Sequence, residues 1–177
     1  MSKIMKLNLF VTISILFFSL NAFCQKSGNN MDNKNMSFMQ KAYSGGMMEV
    51  ELGRLAQHNA SSDKVKQFGE RIIVDHTQAN KELKTIAQKN NINLSDKMLT
   101  ENQSMYDQLA KFRGSEFDKQ YMNKMVEDHK ADISEFEQSS GTETNKEIHQ
   151  WIINTLPILR QHLKLVQEIL AKMGQTN

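Results

Sequence analysis

The chain has 177 residues, 24% of them charged and 39% apolar, with 22 Lys or Arg against 20 Asp or Glu and a single cysteine. That length suits one domain with a real core. The near-even charge excludes the basic footprint of a nucleic-acid binder, and one cysteine excludes a disulfide framework.

Residues 1–24, "MSKIMKLNLFVTISILFFSLNAFC", carry Lys3 and Lys6, then an apolar run from Leu7 to Leu20, then the small residues Ala22 and Cys24. This is the pattern of a secretory signal peptide. Asn8, Thr12, Ser14 and Ser19 interrupt the run, which is too short for a permanent membrane span. No later segment reaches 18 apolar residues, so no transmembrane span is expected in the mature chain. Cleavage between Cys24 and Gln25 is expected, rather than lipid attachment at Cys24, because bulky Phe23 stands where a lipoprotein signal has a small residue. The exported, periplasmic chain would then hold 20 basic and 20 acidic residues and no thiol.

Residues 25–35, "QKSGNNMDNKN", are polar and aperiodic and read as a disordered tether. The domain proper is expected over 36–174. A first helix should run from about Met36 to Asn59, with an inner stripe of Ala42, Gly46, Glu49, Gly53, Ala56 and Ala60. Small residues there permit close helix approach, and Glu49 stands alone among them as a charge. "SSD" at 61–63 supplies a cap for a second helix, Asp63 to Lys89, ended by Asn90 and Asn91. Its heptad is Val65, Gly69, Ile72, His76, Ala79, Leu83 and Ile86.

The next segment, 91–115, is long and has its own periodic stretch with Met98, Met105, Leu109 and Phe112. At about 1.5 Å per residue, 96–112 as a helix would span about 25 Å, enough to carry the chain back along a bundle. A third long helix follows Gly114, with Ser115 and Asp118 in capping-box spacing, and stops before Gly141. Thr144 and Glu147 have the same spacing at the start of a fourth, which ends at Met173 with Gly174 as its cap. Its heptad is Ile148, Ile152, Thr155, Leu159, His162, Val166 and Ile169. Pro157 falls inside it and removes a backbone donor. Two antiparallel hairpins joined by a long crossover containing a short helix make an all-α, ferritin-like four-helix bundle.

Three stretches share one irregularity. "IIVDHTQANKEL", "MVEDHKADISEF" and "ILRQHLKLVQEI" each put a histidine (His76, His129, His162) on an apolar face, with a large apolar residue seven positions later on the same face. Glu82, Glu135 and Glu168, at the sixth position, read as solvated flanks. Glu49, His76, His129 and His162 all lie near the centres of their helices, so the hairpins should bring them to one level of the core. Three imidazoles and a carboxylate are a plausible set of ligands for one Zn, Fe, Mn or Cu ion. Asp75 and Asp128 directly precede histidines and are candidates to support the ligands from behind. The plainer alternative is a metal-free layer in which the histidines hydrogen-bond to Glu49. A di-iron carboxylate centre needs Glu-x-x-His pairs, and the residues three before the histidines are Ile73, Val126 and Leu159. Ten of the twelve methionines lie beyond the leader. Methionine with histidine in an exported protein suits copper, although methionine is more often core filling. His58 and His149, near helix ends, read as surface residues, and Phe68 and Trp151 as core plugs. No nucleophile elbow, phosphate loop or acid/base carboxylate pair is present.

The stretches "FMQKAYSGGMMEVELGRLA", "VKQFGERIIVDHTQANKELKTIA", "FDKQYMNKMVEDHKADISEFE" and "TLPILRQHLKLVQEIL" resemble an exported bacterial family of unknown function often labelled "predicted outer membrane protein". The resemblance covers about residues 38–172. It implies a ferritin-like fold and an envelope location and supplies no chemistry; barrel-type strands are absent from this sequence. The expectation is an exported helical protein with a candidate single-ion site. The alternatives are a ferritin-like redox or metal-handling enzyme acting on iron, peroxide or copper, and a cofactor-free module that docks an envelope partner or a second copy of itself.

Overall fold

A computed structural model describes residues 25–174. The segment read as a signal peptide, Cys24 included, falls outside these residues. Five helices are present: α1 (Gln25–Asn59), α2 (Asp63–Lys89), α3 (Thr100–Leu109), α4 (Gly114–Ser140) and α5 (Lys146–Met173). The described residues contain no strand beyond one isolated bridge between Ala60 and Gly114. That bridge ties the α1–α2 turn to the start of α4, so α4 runs parallel to α2. α1 packs on α2 and α4, and α5 on α4 and α2. The result is a square bundle in which all four neighbouring pairs are antiparallel, as expected for two hairpins joined by a crossover.

Helix α1 begins at Gln25 rather than Met36, so the eleven residues expected as a tether continue it. No proline interrupts them, and extending a formed helix is far cheaper than nucleating one. Near the end of this extension the Asn35 amide donates to Glu143 at 3.2 Å.

Close approach of α1 and α2 depends on glycine. A Cβ on Gly53 would lie 2.6 Å from the backbone oxygen of Gly69, and one on Gly69 would lie 2.9 Å from that of Gly53. Contacts that short leave room only for hydrogen. Further along, the buried face of α2 passes to Ala87, with Ile86 only half-buried. A straight helix drifts against a strict heptad in this way.

The caps differ from the spacing argument. Ser62 is the α2 N-cap but its side chain caps nothing. Asp118 does not close a capping box on α4, which starts at Gly114 after Arg113. Its buried carboxylate instead accepts from the backbone N–H of Ser61 at 3.1 Å, that of Ser62 at 2.9 Å, and the Ser61 hydroxyl. One α4 side chain thus holds the turn between α1 and α2. At α5 the cap is Asn145, not Thr144, and its side chain accepts from the N–H groups of Glu147 and Ile148. Gly114 has φ +63°, the left-handed region that glycine adopts without strain. Pro157 lies on the exposed side of α5, and the helix continues past it.

The crossover is fastened to α1. The Ser44 hydroxyl accepts from the Leu99 N–H at 2.7 Å and the Asn102 amide at 2.8 Å, and the Tyr43 hydroxyl donates to Asp96 at 2.9 Å.

The apolar core falls into two parts. One holds Leu52, Phe68, Ile72, Phe117, Met122, Met125 and Val166. The other holds Phe38, Met39, Leu83, Phe136, Trp151, Ile152 and Leu159. On α2, α4 and α5 the chain passes from one part to the other through a histidine.

Candidate metal centre

Between the two halves of the core, α1 supplies Glu49, α2 His76, α4 His129 and α5 His162, all buried. The helix centres coincide because the hairpin turns are short and the helices similar in length, so residues near each midpoint meet. Each of the three histidines offers a ring nitrogen within 4.8 Å of the others'. Ring centroids lie 5.3 Å apart for His129–His162 and His76–His162, and 5.9 Å for His76–His129.

Glu49 is placed differently from the expectation that it joins the histidines as a fourth ligand. Its Oε2 accepts from Nδ1 of His76 at 2.9 Å, and its Oε1 lies 3.5 Å from Nδ1 of His129. It therefore stands behind two of the rings. Asp75 occupies the same kind of position for His162, its Oδ2 lying 2.8 Å from Nε2. Arg71 in turn donates to Asp75 from one turn earlier. Asp128 touches none of the histidines. It faces Lys124 at 3.6 Å and has one buried oxygen without a hydrogen-bond partner. The acceptor behind His129 is the Met125 carbonyl, 3.0 Å from Nδ1, a backbone group one turn back that no side-chain pattern reveals.

Proton positions follow from these partners. The Met125 carbonyl can only accept, so Nδ1 of His129 carries the proton and Nε2 is a lone pair. That Nε2 lies 3.2 Å from Nδ1 of His162, which must then donate. But Nε2 of His162 faces the Asp75 carboxylate, another pure acceptor. The network thus asks His162 for two protons. Burial, with His76 and His129 nearby, outweighs the Asp75 hydrogen bond and lowers its pKa to about 4. A neutral His162 cannot satisfy both contacts. On His76, Nδ1 serves Glu49 and the buried Nε2 has no partner.

Charge is distributed accordingly. Burial acts to raise Glu49, but the His76 and His129 rings prevail and hold it at about 2. Burial acts to lower His76, and the Glu49 charge reverses this, so His76 is raised. His129 is lowered, chiefly by burial. Burial would raise Asp75, but hydrogen bonds from Arg71 and His162 lower it. Across the layer, burial lifts Asp128 to about 6. Burial, with Glu49 and Asp128 nearby, raises Asp132 well above the usual carboxylate range.

A pocket of about 210 Å³ opens beside the layer between α1, α4 and the crossover, with Glu49 and His76 in its wall. Asp132, Glu135 and Glu101 also line it. Glu135, read from the sequence as a solvated flank, pairs with Lys41 at 3.6 Å across this opening. Asp132 shares the stripe of His129, three residues further along α4, as its helical spacing indicates. Glu101 is brought there only by the crossover. Of the other histidines, His58 is exposed and His149 half-buried, while Phe68 and Trp151 sit in the core.

Residues 22–169 match the family described as Domain of unknown function (DUF4142). The chain belongs to this family. The match agrees with the resemblance seen in the sequence at the level of a family without assigned function. No curated protein matches the chain. Among solved structures, it is similar to a protein described as CopM in its Cu(I)-bound form, at 15% identity and TM-score 0.66 over 78% of this chain and 96% of that one. The Cu(II)-bound form of CopM gives 16% and 0.67, over 78% and 97%. A DUF305 fragment from Deinococcus radiodurans gives 9% and 0.69, over 78% and 95%. At these identities the likeness is one of fold, a helical bundle. No described helix is long and apolar enough to cross a membrane.

Proposed function

We propose that this protein binds one transition-metal ion through His76, His129 and His162, as a non-catalytic metal-handling protein of the cell envelope, and that the ion is copper. The proton count carries the reading. Each ring has one nitrogen turned to an acceptor: Glu49 for His76, the Met125 carbonyl for His129, Asp75 for His162. The remaining nitrogens are Nε2 of His76, without a partner, and the facing pair of His129 and His162. A cation among them removes the double demand on His162, because both facing nitrogens then offer lone pairs. It also occupies the free nitrogen of His76. Carboxylate or carbonyl support behind a ligating imidazole fixes its tautomer and raises its basicity. Three imidazoles without an inner carboxylate suit copper or zinc better than manganese. Copper is further supported by the copper-bound state of the CopM structures of similar fold. Export rests on the leader-like residues 1–24.

A second reading has one observation in its favour. The 3.2 Å contact between His129 and His162 is already a hydrogen bond, as a metal-free polar layer requires. Metal analysis of the protein purified from the periplasm decides between them. The expected result is close to one copper per chain, lost in His129→Ala. Absence of stoichiometric metal, with no copper uptake on titration, overturns the proposal.

A further inference from the structure

Resting on that reading, we infer that the pocket between α1, α4 and the crossover is the route by which the ion reaches the centre, and that it admits an aquated divalent cation. Its inner wall contains Glu49 and His76, whose Oε1 and Nε2 are buried and lack hydrogen-bond partners. Both residues are more than nine-tenths buried. Glu101 and Glu135 also line the pocket with one lysine, Lys41, itself paired with Glu135, while Asp128 and Asp132 lie deeper in the lining, where burial raises the pKa of both and Asp128 faces Lys124. These carboxylates do not form a tight site of their own. Among the described residues, the three histidines are the one group of three or more such side chains whose ligand atoms all lie within 4.8 Å of one another. A dispersed acidic wall that ends on an imidazole concentrates cations and passes them on. It also selects by chemistry, since oxygen-lined surfaces suit hydrated divalent ions and Met48 is the one sulfur in the lining. The opposite approach, past Asp75 to His162, is held by a guanidinium. Arg71 donates to Asp75 and, at 3.2 Å, to Gln161, so a cation arriving there meets a like charge.

Stopped-flow mixing of the metal-free protein with Cu(II) chloride, read by visible absorption, tests the route in two independent ways. Glu101→Gln/Glu135→Gln removes two mouth charges. Its association rate should fall about tenfold, within the range for electrostatic steering, and should lose much of its dependence on ionic strength. The bound-ion spectrum should not change. Glu116→Gln/Glu168→Gln makes the same charge change away from the pocket and should bind at the parent rate. Gly45→Leu fills the pocket instead. Gly45 lines it, and a Cβ there meets nothing within 4 Å, so the helix tolerates the change. Association and dissociation should slow together, leaving Kd unchanged. Copper binding at parent rates in both pocket variants would overturn the route while leaving the metal centre standing. No Cu(II) spectrum in the parent protein would overturn the centre and the route with it.

Discussion

Replacing His129 with Leu separates a metal centre from a polar layer by stability alone. His129 is fully buried and meets three groups: the Met125 carbonyl, Nδ1 of His162 and, at 3.5 Å, Glu49. The carbonyl lies within α4, where the helix ladder already uses it, so losing the imidazole there costs little. The cost falls on Nδ1 of His162, a buried ring nitrogen left without a partner, at about 1–3 kcal/mol. Burying a leucine side chain returns about 1.5–3 kcal/mol. In chelator, therefore, His129→Leu should lie within about 1.5 kcal/mol of the parent. With copper at a hundred times Kd, the parent should gain about 2.7 kcal/mol by mass action, and the variant, short of one ligand, close to none. Urea unfolding followed by circular dichroism, with and without copper, measures all four stabilities. The reasoning fails if copper leaves the parent midpoint unmoved, or if the variant keeps the full copper-dependent gain.

Four further outcomes are expected. Gly53→Ala sets a methyl against the Gly69 carbonyl at 2.6 Å; overpacking of about 1–3 kcal/mol should exceed the roughly 1 kcal/mol helix-propensity gain, so thermal melts should show net destabilisation. Asp118→Ala strips the acceptor from three donors at the α1–α2 turn and should cost about 3 kcal/mol in denaturant, with Asp118→Asn recovering part of it. Asp128 has a folded pKa of about 6 against about 3.9 unfolded, so its contribution to stability falls as pH rises through that window; with its side chain 16% exposed, Asp128→Asn should be about 1–2 kcal/mol more stable than the parent at pH 7.5 and no more stable at pH 4. Intact mass of the protein recovered from the periplasmic fraction should place the N-terminus at Gln25; a retained leader, or a lipid adduct on Cys24, would refute simple cleavage.

The periodicity of the chain was enough for four long helices, their order and the long crossover, because burying one face of an amphipathic helix imposes a 3.6-residue repeat that any reader of the sequence can see. The C-terminal limit of α2, Lys89, follows from local turn chemistry, since the Asn90 amide donates to the Ile86 carbonyl and Asn91 takes a left-handed φ of 57°. The meeting of Glu49, His76, His129 and His162 was legible too, since short hairpins align helix midpoints. Tertiary contact decided the rest. Asp118 sits at capping-box spacing from Ser115, yet it serves a turn more than fifty residues away, because the Ala60–Gly114 bridge brings that turn to it. Which nitrogen of each histidine faces inward depends on rotamer and on acceptors such as the Met125 carbonyl, a backbone group without a residue signature. Glu49 reads from the sequence as a ligand; in the bundle its oxygens reach the outer nitrogens of two rings, because α1 approaches from behind them. Sequence fixes which face a side chain shares. What that side chain touches depends on the distance and rotation of a neighbouring helix, which are set where Gly53 meets Gly69 and where Ser44 holds the crossover.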